Sequence, residues 1–556
     1  MSIPNPRSVQ IRIGEKTFET VQGISLRSFL EQYPAGSLPI MGALVNGEPQ
    51  ELSYPLYADS TVEWLDISTD PGIRIYKRSL YFVLLAAVTR LFPGYRLKIE
   101  HSIAQGNYCE LRGKKPLTPS DLNKIEQEMR EIINSDLPIT KRDVAKDDAI
   151  KFFQSQGKID KARLLKYKPG ETISLYSCAS FTDYFFGPMV PSTGSLKNFE
   201  LKFFAPGFII RVPDKSAPDK ILPYEEPKKL AAIFRESEHR GELMQVENIA
   251  QLNEIIKDGS FNEVIQMAET LHERDLSQIA QAIYDDCPEV KLILIAGPSS
   301  SGKTTFAQRL SIQFRVNGIR PVAISLDDYF INRDKTPRDE YGELDYENIY
   351  ALDLTLFNEQ LTQLIAGKEV YVPKYDFITG TRSSETQRIK LEKNQVLIIE
   401  GIHGLNEILT ATIPKKNKRK IYVSALTPLN IDDCNPISSS DTRLIRRMAR
   451  DLQFRGSSVE DTLKRWPSVR RGEEKYIFPF QEDADFIFNS ALCYEMALLK
   501  TIVEPELKKI SSSSPQYPEA KRLLHFLQYF LTICPDGIPL NSILREFWGG
   551  SCFFSS

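Results

Sequence analysis

The run Gly297-Pro298-Ser299-Ser300-Ser301-Gly302-Lys303-Thr304-Thr305 has the residue types and spacing of a loop that cradles phosphates. Gly297 and Gly302 let the backbone curl so that successive N–H groups, those of Ser299, Ser300, Ser301 and Thr305 among them, point inward at phosphate oxygens. Lys303 can bridge β- and γ-phosphates, and the Thr304 hydroxyl can ligate Mg²⁺. ATP and Mg²⁺ are therefore the expected cofactors. Two carboxylates follow apolar runs: Asp327 after Pro321-Val322-Ala323-Ile324-Ser325-Leu326, and Glu400 after Val396-Leu397-Ile398-Ile399. The C-terminal ends of strands are where α/β sheets place ligands. Glu400 at such an end can hold Mg²⁺ through water. Arg443, Arg446, Arg447 and Arg450 recur at helical spacing, with Arg455, Arg470 and Arg471 beyond them. Their fork-shaped heads suit a transferring phosphate. At least one of these arginines is expected to meet the nucleotide's phosphates, with Arg443 and Arg447 the candidates.

The elements that must carry these groups are legible around them. Lys291 to Ala296 is a buried-strand run that enters the loop directly, and Phe306 to Val316 has helical character after it. Strand, loop and helix are the context the motif needs. This segment, 289–510, is expected to be an α/β domain with a parallel sheet. Before it, residues 1–68 read as a small α+β unit: strands at Ser8 to Ile13 and Thr61 to Leu65, a helix from Ser25 to Tyr33, and an Asn46-Gly47 hairpin turn. Residues 72–213 hold a helix from Arg78 to Leu91, stopped by Pro93-Gly94, and an amphipathic helix from Thr118 to Asn134. Residues 214–288 read as a linker and helical connector, and 511–556 as a tail with one helix, about Glu519 to Leu531.

At 556 residues, several domains are required. A net charge of −3, from 70 basic and 73 acidic residues, offers no global basic field for nucleic acid. Seven scattered cysteines with no C-x-x-C pair are the usage of a reduced compartment. The N-terminus lacks a signal-peptide core, and the apolar run Tyr81 to Val88 is too short to span a bilayer. A cytoplasmic protein without membrane contact is expected, with a homo-oligomer as its assembly.

The kinase-like motifs extend in order through the segment. They are Ser325-Leu326-Asp327-Asp328-Tyr329-Phe330, Leu344-Asp345, Val372-Pro373-Lys374-Tyr375-Asp376-Phe377, Arg382, Glu400-Gly401 and Asp441 to Arg447. Together they resemble the uridine kinase and phosphoribulokinase superfamily. The resemblance implies that Asp327 accepts the proton of the substrate hydroxyl, with Lys303 and Arg443 as its catalytic companions. It implies that Asp345 holds ribose hydroxyls and that Tyr375 and Phe377 flank the base, with Arg382 on the substrate side. The implied function is ATP- and Mg²⁺-dependent phosphorylation of a nucleoside 5′-hydroxyl. The alternatives are a kinase for another small alcohol or sugar phosphate, and an RNA-sensing regulatory protein in which the loop is a switch. No N-K-x-D guanine motif follows the loop, which speaks against a GTPase. One departure stands out: uridine kinases usually carry a histidine where this chain has Gly380, which puts a strict pyrimidine preference in doubt.

The front half resembles a different family. Val45-Asn46-Gly47 with Leu52 is similar to the ubiquitin-like TGS module. Leu91-Phe92-Pro93, Ile125-Glu126 and Val190-Pro191-Ser192-Thr193-Gly194 resemble the editing domain of threonyl-tRNA synthetases, in that order. The positions of that family's two metal and acid–base pairs fall on Arg78 and Phe82, and on Phe185 and Met189. None of these supplies an imidazole or a thiolate. The implied domain keeps the scaffold without the catalysis, free to take RNA or a regulatory ligand.

Overall fold

A computed structural model describes residues 8–287, 289–376, 379–427 and 429–554. Strict alternation builds the first sheet: in Ser8–Ile13, Val9 and Ile11 are buried and their neighbours face outward. This strand pairs antiparallel with Lys16–Val21 and parallel with Ser60–Asp66. Ile40–Val45 and Glu48–Gln50 complete five strands, joined through Asn46 and Gly47 at φ 50° and 79°. Those positive angles are what the Asn-Gly pair supplies. The Ser25 hydroxyl caps the helix Leu26–Gln32, accepting from the Ser28 N–H at 3.1 Å.

The next unit is organised by one long buried helix, Asp70–Leu91. It starts at Asp70 rather than at the expected Arg78, because Thr69 caps it and Pro71 opens its first turn. The helix Pro119–Asn134, with a Thr118–Asp121 capping box, packs on it. A four-stranded antiparallel sheet lies in the order Glu200–Phe204, Gly207–Arg211, Gly106–Arg112, Arg96–Ile103. A three-stranded sheet, Thr140–Ala145, Thr172–Cys178 and Phe181–Asp183, carries the helices Lys146–Ser155 and Ile159–Tyr167. Phe82, Phe185 and Met189 are all buried in one apolar core, and Arg78 donates to the Pro188 carbonyl at 2.6 Å. The four positions do come together, and three of them now serve packing. His101 is buried too, stacked on Phe234 at 3.5 Å between ring centroids, with Glu238 at 3.1 Å from its Nδ1.

Three helices, Lys228–Met244, Ile249–Asp258 and Phe261–Asp285, lead into the kinase-like unit and share its core. Its sheet is fully parallel, ordered Arg320–Ser325, Gln395–Glu400, Leu292–Ala296, Lys418–Ser424, Phe486–Asn489. The central strand is buried on both faces, as its unbroken apolar run requires. An antiparallel ribbon, Glu369–Asp376 with Thr381–Lys390, projects from the sheet. The tail is more than one helix. Tyr517–Leu527 is followed by a short turn of helix, Arg545–Trp548, and Leu523, Phe526, Ile543, Leu544 and Phe547 all enter the kinase core. Among the described residues, no helix is long and apolar enough to cross a membrane.

Arg446 is fully enclosed in this core, bonded to Glu495 and to the Ser490 carbonyl at 2.8 Å. Replacing it leaves a buried carboxylate without its cation, which costs more than a matched apolar pair would. Arg446→Met is expected to lower stability by about 3–5 kcal/mol, and Arg446→Met/Glu495→Leu to recover more than half of that. The midpoints of urea unfolding for the two variants check this; a double variant no more stable than the single one would refute it.

Candidate active site

The loop Gly297–Thr305 closes over the end of the central strand. A Cβ on Gly297 would lie 2.0 Å from the Val423 carbonyl, so no side chain fits there. Ser300 and Gly302 take φ of 58° and 86°, which turns the intervening amides inward. The buried hydroxyls of Ser300 and Ser301 make no hydrogen bond within the protein. These features fit a phosphate-binding cradle. Lys303 reaches back to the Pro298 carbonyl at 3.2 Å, and Thr304 donates to Glu400 at 2.8 Å. Thr304 and Glu400 are thus already neighbours, as a shared Mg²⁺ would require.

Two amides of the loop are met by carboxylates. The Ser299 N–H donates to Glu473 at 3.0 Å. The Thr305 N–H and hydroxyl both donate to Glu546, at 3.2 and 2.8 Å. Glu473 sits on the helix Val459–Tyr476, which covers the cleft, and is wholly buried between Arg443 and Arg470. Arg443 and Arg447 both lie on the helix Ser439–Phe454 and reach the loop. Arg443 bonds Glu473 and, at 3.1 Å, the Ser299 carbonyl; Arg447 donates to the Ser299 hydroxyl at 2.8 Å. Arg443 therefore meets the loop both directly, at the Ser299 carbonyl, and through Glu473.

On the acceptor side, Asp327 follows the strand Arg320–Ser325, in a short 3₁₀ turn capped by Ser325. Asp327 is exposed to solvent, and desolvation by the groups packed around its carboxyl raises its pKa against the pull of Lys303, Arg455 and Arg450. Asp345 accepts from the Tyr476 hydroxyl at 2.9 Å, so the covering helix holds it in place. Asp328 faces the ribbon, where the Tyr375 N–H donates to it at 3.5 Å. Tyr375 packs its ring on Phe330 at 5.6 Å. Arg382 bonds Asp353 at 3.1 Å and the Phe330 and Tyr329 carbonyls at 3.2 and 3.3 Å, joining the ribbon to the cleft wall. Phe377 lies outside the described residues. Gly380 has φ 71°, and a Cβ there would lie 2.5 Å from the Arg333 guanidinium. Glycine is thus the residue this turn accepts, and an arginine covers the side where a histidine was expected.

Four groups escaped the motif reading: Glu347, Glu473, Tyr476 and Glu546. Glu347 stands two residues after Asp345, which was the one local signal for it. Its pKa is pushed up to about 7, first by burial and then by Glu473. Glu400 also rises to about 7, through burial against the pull of Lys303 and Thr304. His403 is buried beside Tyr476, and burial lowers its pKa to about 4, so it is neutral near pH 7.

A parallel sheet in this order, with a phosphate cradle on its central strand, is the fold of a P-loop kinase domain. Residues 292–497 match the model of the Phosphoribulokinase / Uridine kinase family. Among solved structures, one described as a possible uridine kinase from Bacillus stearothermophilus aligns at 22% identity with a TM-score of 0.27, covering 39% of this chain and 98% of that one. The N-terminal part matches threonyl-tRNA synthetases. The threonine–tRNA ligase of Acetivibrio thermocellus is 36% identical over 182 residues, 32% of this chain and 29% of that protein. That of Desulforamulus reducens is 38% identical over 162 residues, 29% and 26% of the two chains. The chain spans under a third of the length of these curated relatives.

With Glu400 at about 7, Mg²⁺ must displace a proton from it below that pH. The Mg²⁺-dependent part of ATP affinity is expected to weaken from pH 8 to pH 6, and Glu400→Gln to flatten that slope. Calorimetric titrations at both pH values, with and without Mg²⁺, read the difference between the two proteins. Equal slopes would remove Glu400 from the metal site.

Proposed function

We propose that this protein transfers the γ-phosphoryl group of ATP to the 5′-hydroxyl of a nucleoside. The observation that carries the reading is Asp327, which follows the strand next to Glu400's in the sheet and lies within the field of Lys303 on the phosphate loop. Phosphoryl transfer needs a positioned hydroxyl and neutralised charge more than a strong base. The residues divide that work. The amides of Gly297–Thr305 and the Lys303 ammonium would take the phosphates, and Thr304 and Glu400 the Mg²⁺, which supplies charge neutralisation when bound. Asp327, its pKa raised toward the working pH, accepts the hydroxyl proton. Asp345, oriented by Tyr476, accepts from the ribose hydroxyls. The helix Val459–Tyr476 brings Glu473 to the loop and Tyr476 to Asp345. The fit of the family model to residues 292–497 supports kinase chemistry.

The acceptor's base is read from the turn at Gly380. With no imidazole there and the Arg333 guanidinium over it, the donors offered to a base differ from those of a strict uridine/cytidine kinase. For the front half, a regulatory or RNA ligand remains the proposal, supported by the match to threonyl-tRNA synthetases.

Lys303→Ala is expected to lower phosphoryl transfer by at least about 10²-fold. Asp327→Asn is expected to lower kcat by about 10²–10⁴-fold while leaving ATP affinity within about threefold. Both are measured with a panel of purine and pyrimidine nucleosides and sugar phosphates as acceptors. Purine nucleosides are expected among the substrates; strict uridine and cytidine use would count against the pocket reading, and transfer to sugar phosphates alone would replace it.

A further inference from the structure

The short tail helix Arg545–Trp548 packs against the phosphate loop and carries a charge that the loop would otherwise receive from its ligand. The Glu546 carboxylate accepts from the N–H and hydroxyl of Thr305, in the first turn of the helix Lys303–Val316. Loop and first-turn amides of this kind are the donors that hold α- and β-phosphates. Ile543 lies against Gly302, where an added Cβ would sit 2.7 Å from its Cγ2. Glu546 also adds negative charge beside Glu400, raising its pKa.

We infer that Glu546 is a built-in competitor for the nucleotide: a tethered carboxylate that occupies the phosphate end of the loop and must move for ATP to bind. The inference rests on reading Gly297–Thr305 as a triphosphate cradle, and not on the nature of the acceptor. Three features make the competitor effective. Ile543, Leu544 and Phe547 are buried and anchor the turn, so the carboxylate is presented at high local concentration. The Gln453 amide donates to the Phe547 carbonyl at 2.5 Å, and the Arg446 guanidinium lies over the Phe547 ring at 5.1 Å. The Arg545 guanidinium donates to the Ile538 carbonyl at 2.6 Å, closing the strap on itself. Glu546 itself is only half-buried, so it can leave Thr305 as the turn Arg545–Trp548 loosens, with Ile543 and Leu544 still packed.

A carboxylate and a phosphate cannot share the Thr305 donors, and their like charges repel. Glu546→Ala is therefore expected to tighten binding of MgATP and of inorganic tripolyphosphate alike, each by about tenfold or more, in the full-length chain. Isothermal titration calorimetry reads both, without any acceptor, so the result stands apart from any outcome of the nucleoside assays. Unchanged or weaker affinity in Glu546→Ala overturns the inference, and so does a gain for ATP without one for tripolyphosphate. Should Glu546→Ala fail to fold, hydrogen exchange on the unmodified protein decides. MgATP is expected to increase exchange at the amides of Trp548 and Gly549, which close onto Leu544 and Arg545. No change there, with ATP bound, overturns it equally.

Discussion

A loop whose N–H groups converge on one hollow concentrates positive potential there, and that hollow requires negative charge. Much of the kinase unit is arranged around this requirement. Glu473 and Glu546 answer it from opposite sides of the cleft. Each needs its own support, because an isolated buried carboxylate would take up a proton instead. Glu473 has Arg443 and Arg470, and its pKa is lowered despite its burial. That pairing fixes the helix Val459–Tyr476 over the cleft, and the same helix brings Tyr476 to Asp345. One electrostatic demand of the loop thus places this helix, and the helix in turn orients Asp345.

The front half is joined to this arrangement by side chains that have nothing to do with editing. Arg74 on the long helix pairs with Glu519, Glu519 with Arg522, and Arg522 with Asp441, which opens the arginine helix. Glu519 is held down at about 2, since the two arginines outweigh its burial. Lys521 reaches Glu48 at 2.7 Å, next to the Asn46-Gly47 turn. The Tyr184 and Tyr529 hydroxyls bond each other. The tail helix is therefore a wedge touching both front units and the kinase unit, and the strap that ends in Glu546 continues from it. Where a synthetase-like cleft would need imidazoles, Phe82, Phe185 and Met189 give it packing, and its surroundings have become docking surface.

What the sequence made legible was what depends on neighbours along the chain. The cradle, the strand before it and the helix after it are one continuous segment, and so are the Asn46-Gly47 hairpin and the amphipathic helix that begins at Thr118. Asp327 and Glu400 were found because strand ends carry them. Glu473 and Glu546 were not, because their partners Ser299 and Thr305 lie 174 and 241 residues away in sequence. No local pattern marks one glutamate among many on a charged helix. Arg382 illustrates the converse. Its motif position was clear, but its bonds to Asp353, Tyr329 and Phe330 depend on how the ribbon folds back on the sheet. The sequence shows the tail as one helix and no more, because its apolar residues have no period that shows which core they enter.

The charge balance inside the cleft explains why the loop motif alone does not describe the ligand. Asp327, Glu347, Glu400, Glu473 and Glu546 crowd the space around Lys303 and the lid arginines. Glu347 and Glu400 respond by holding their protons up to about pH 7. A bare polyanion entering such a space meets repulsion that the loop amides and one lysine must overcome. The same anion arriving with a divalent cation meets carboxylates ready to exchange a proton for that cation. The charge that this space accepts is thus set by Glu400 and Glu347, which stand outside the loop, as much as by Lys303 and Thr304 within it.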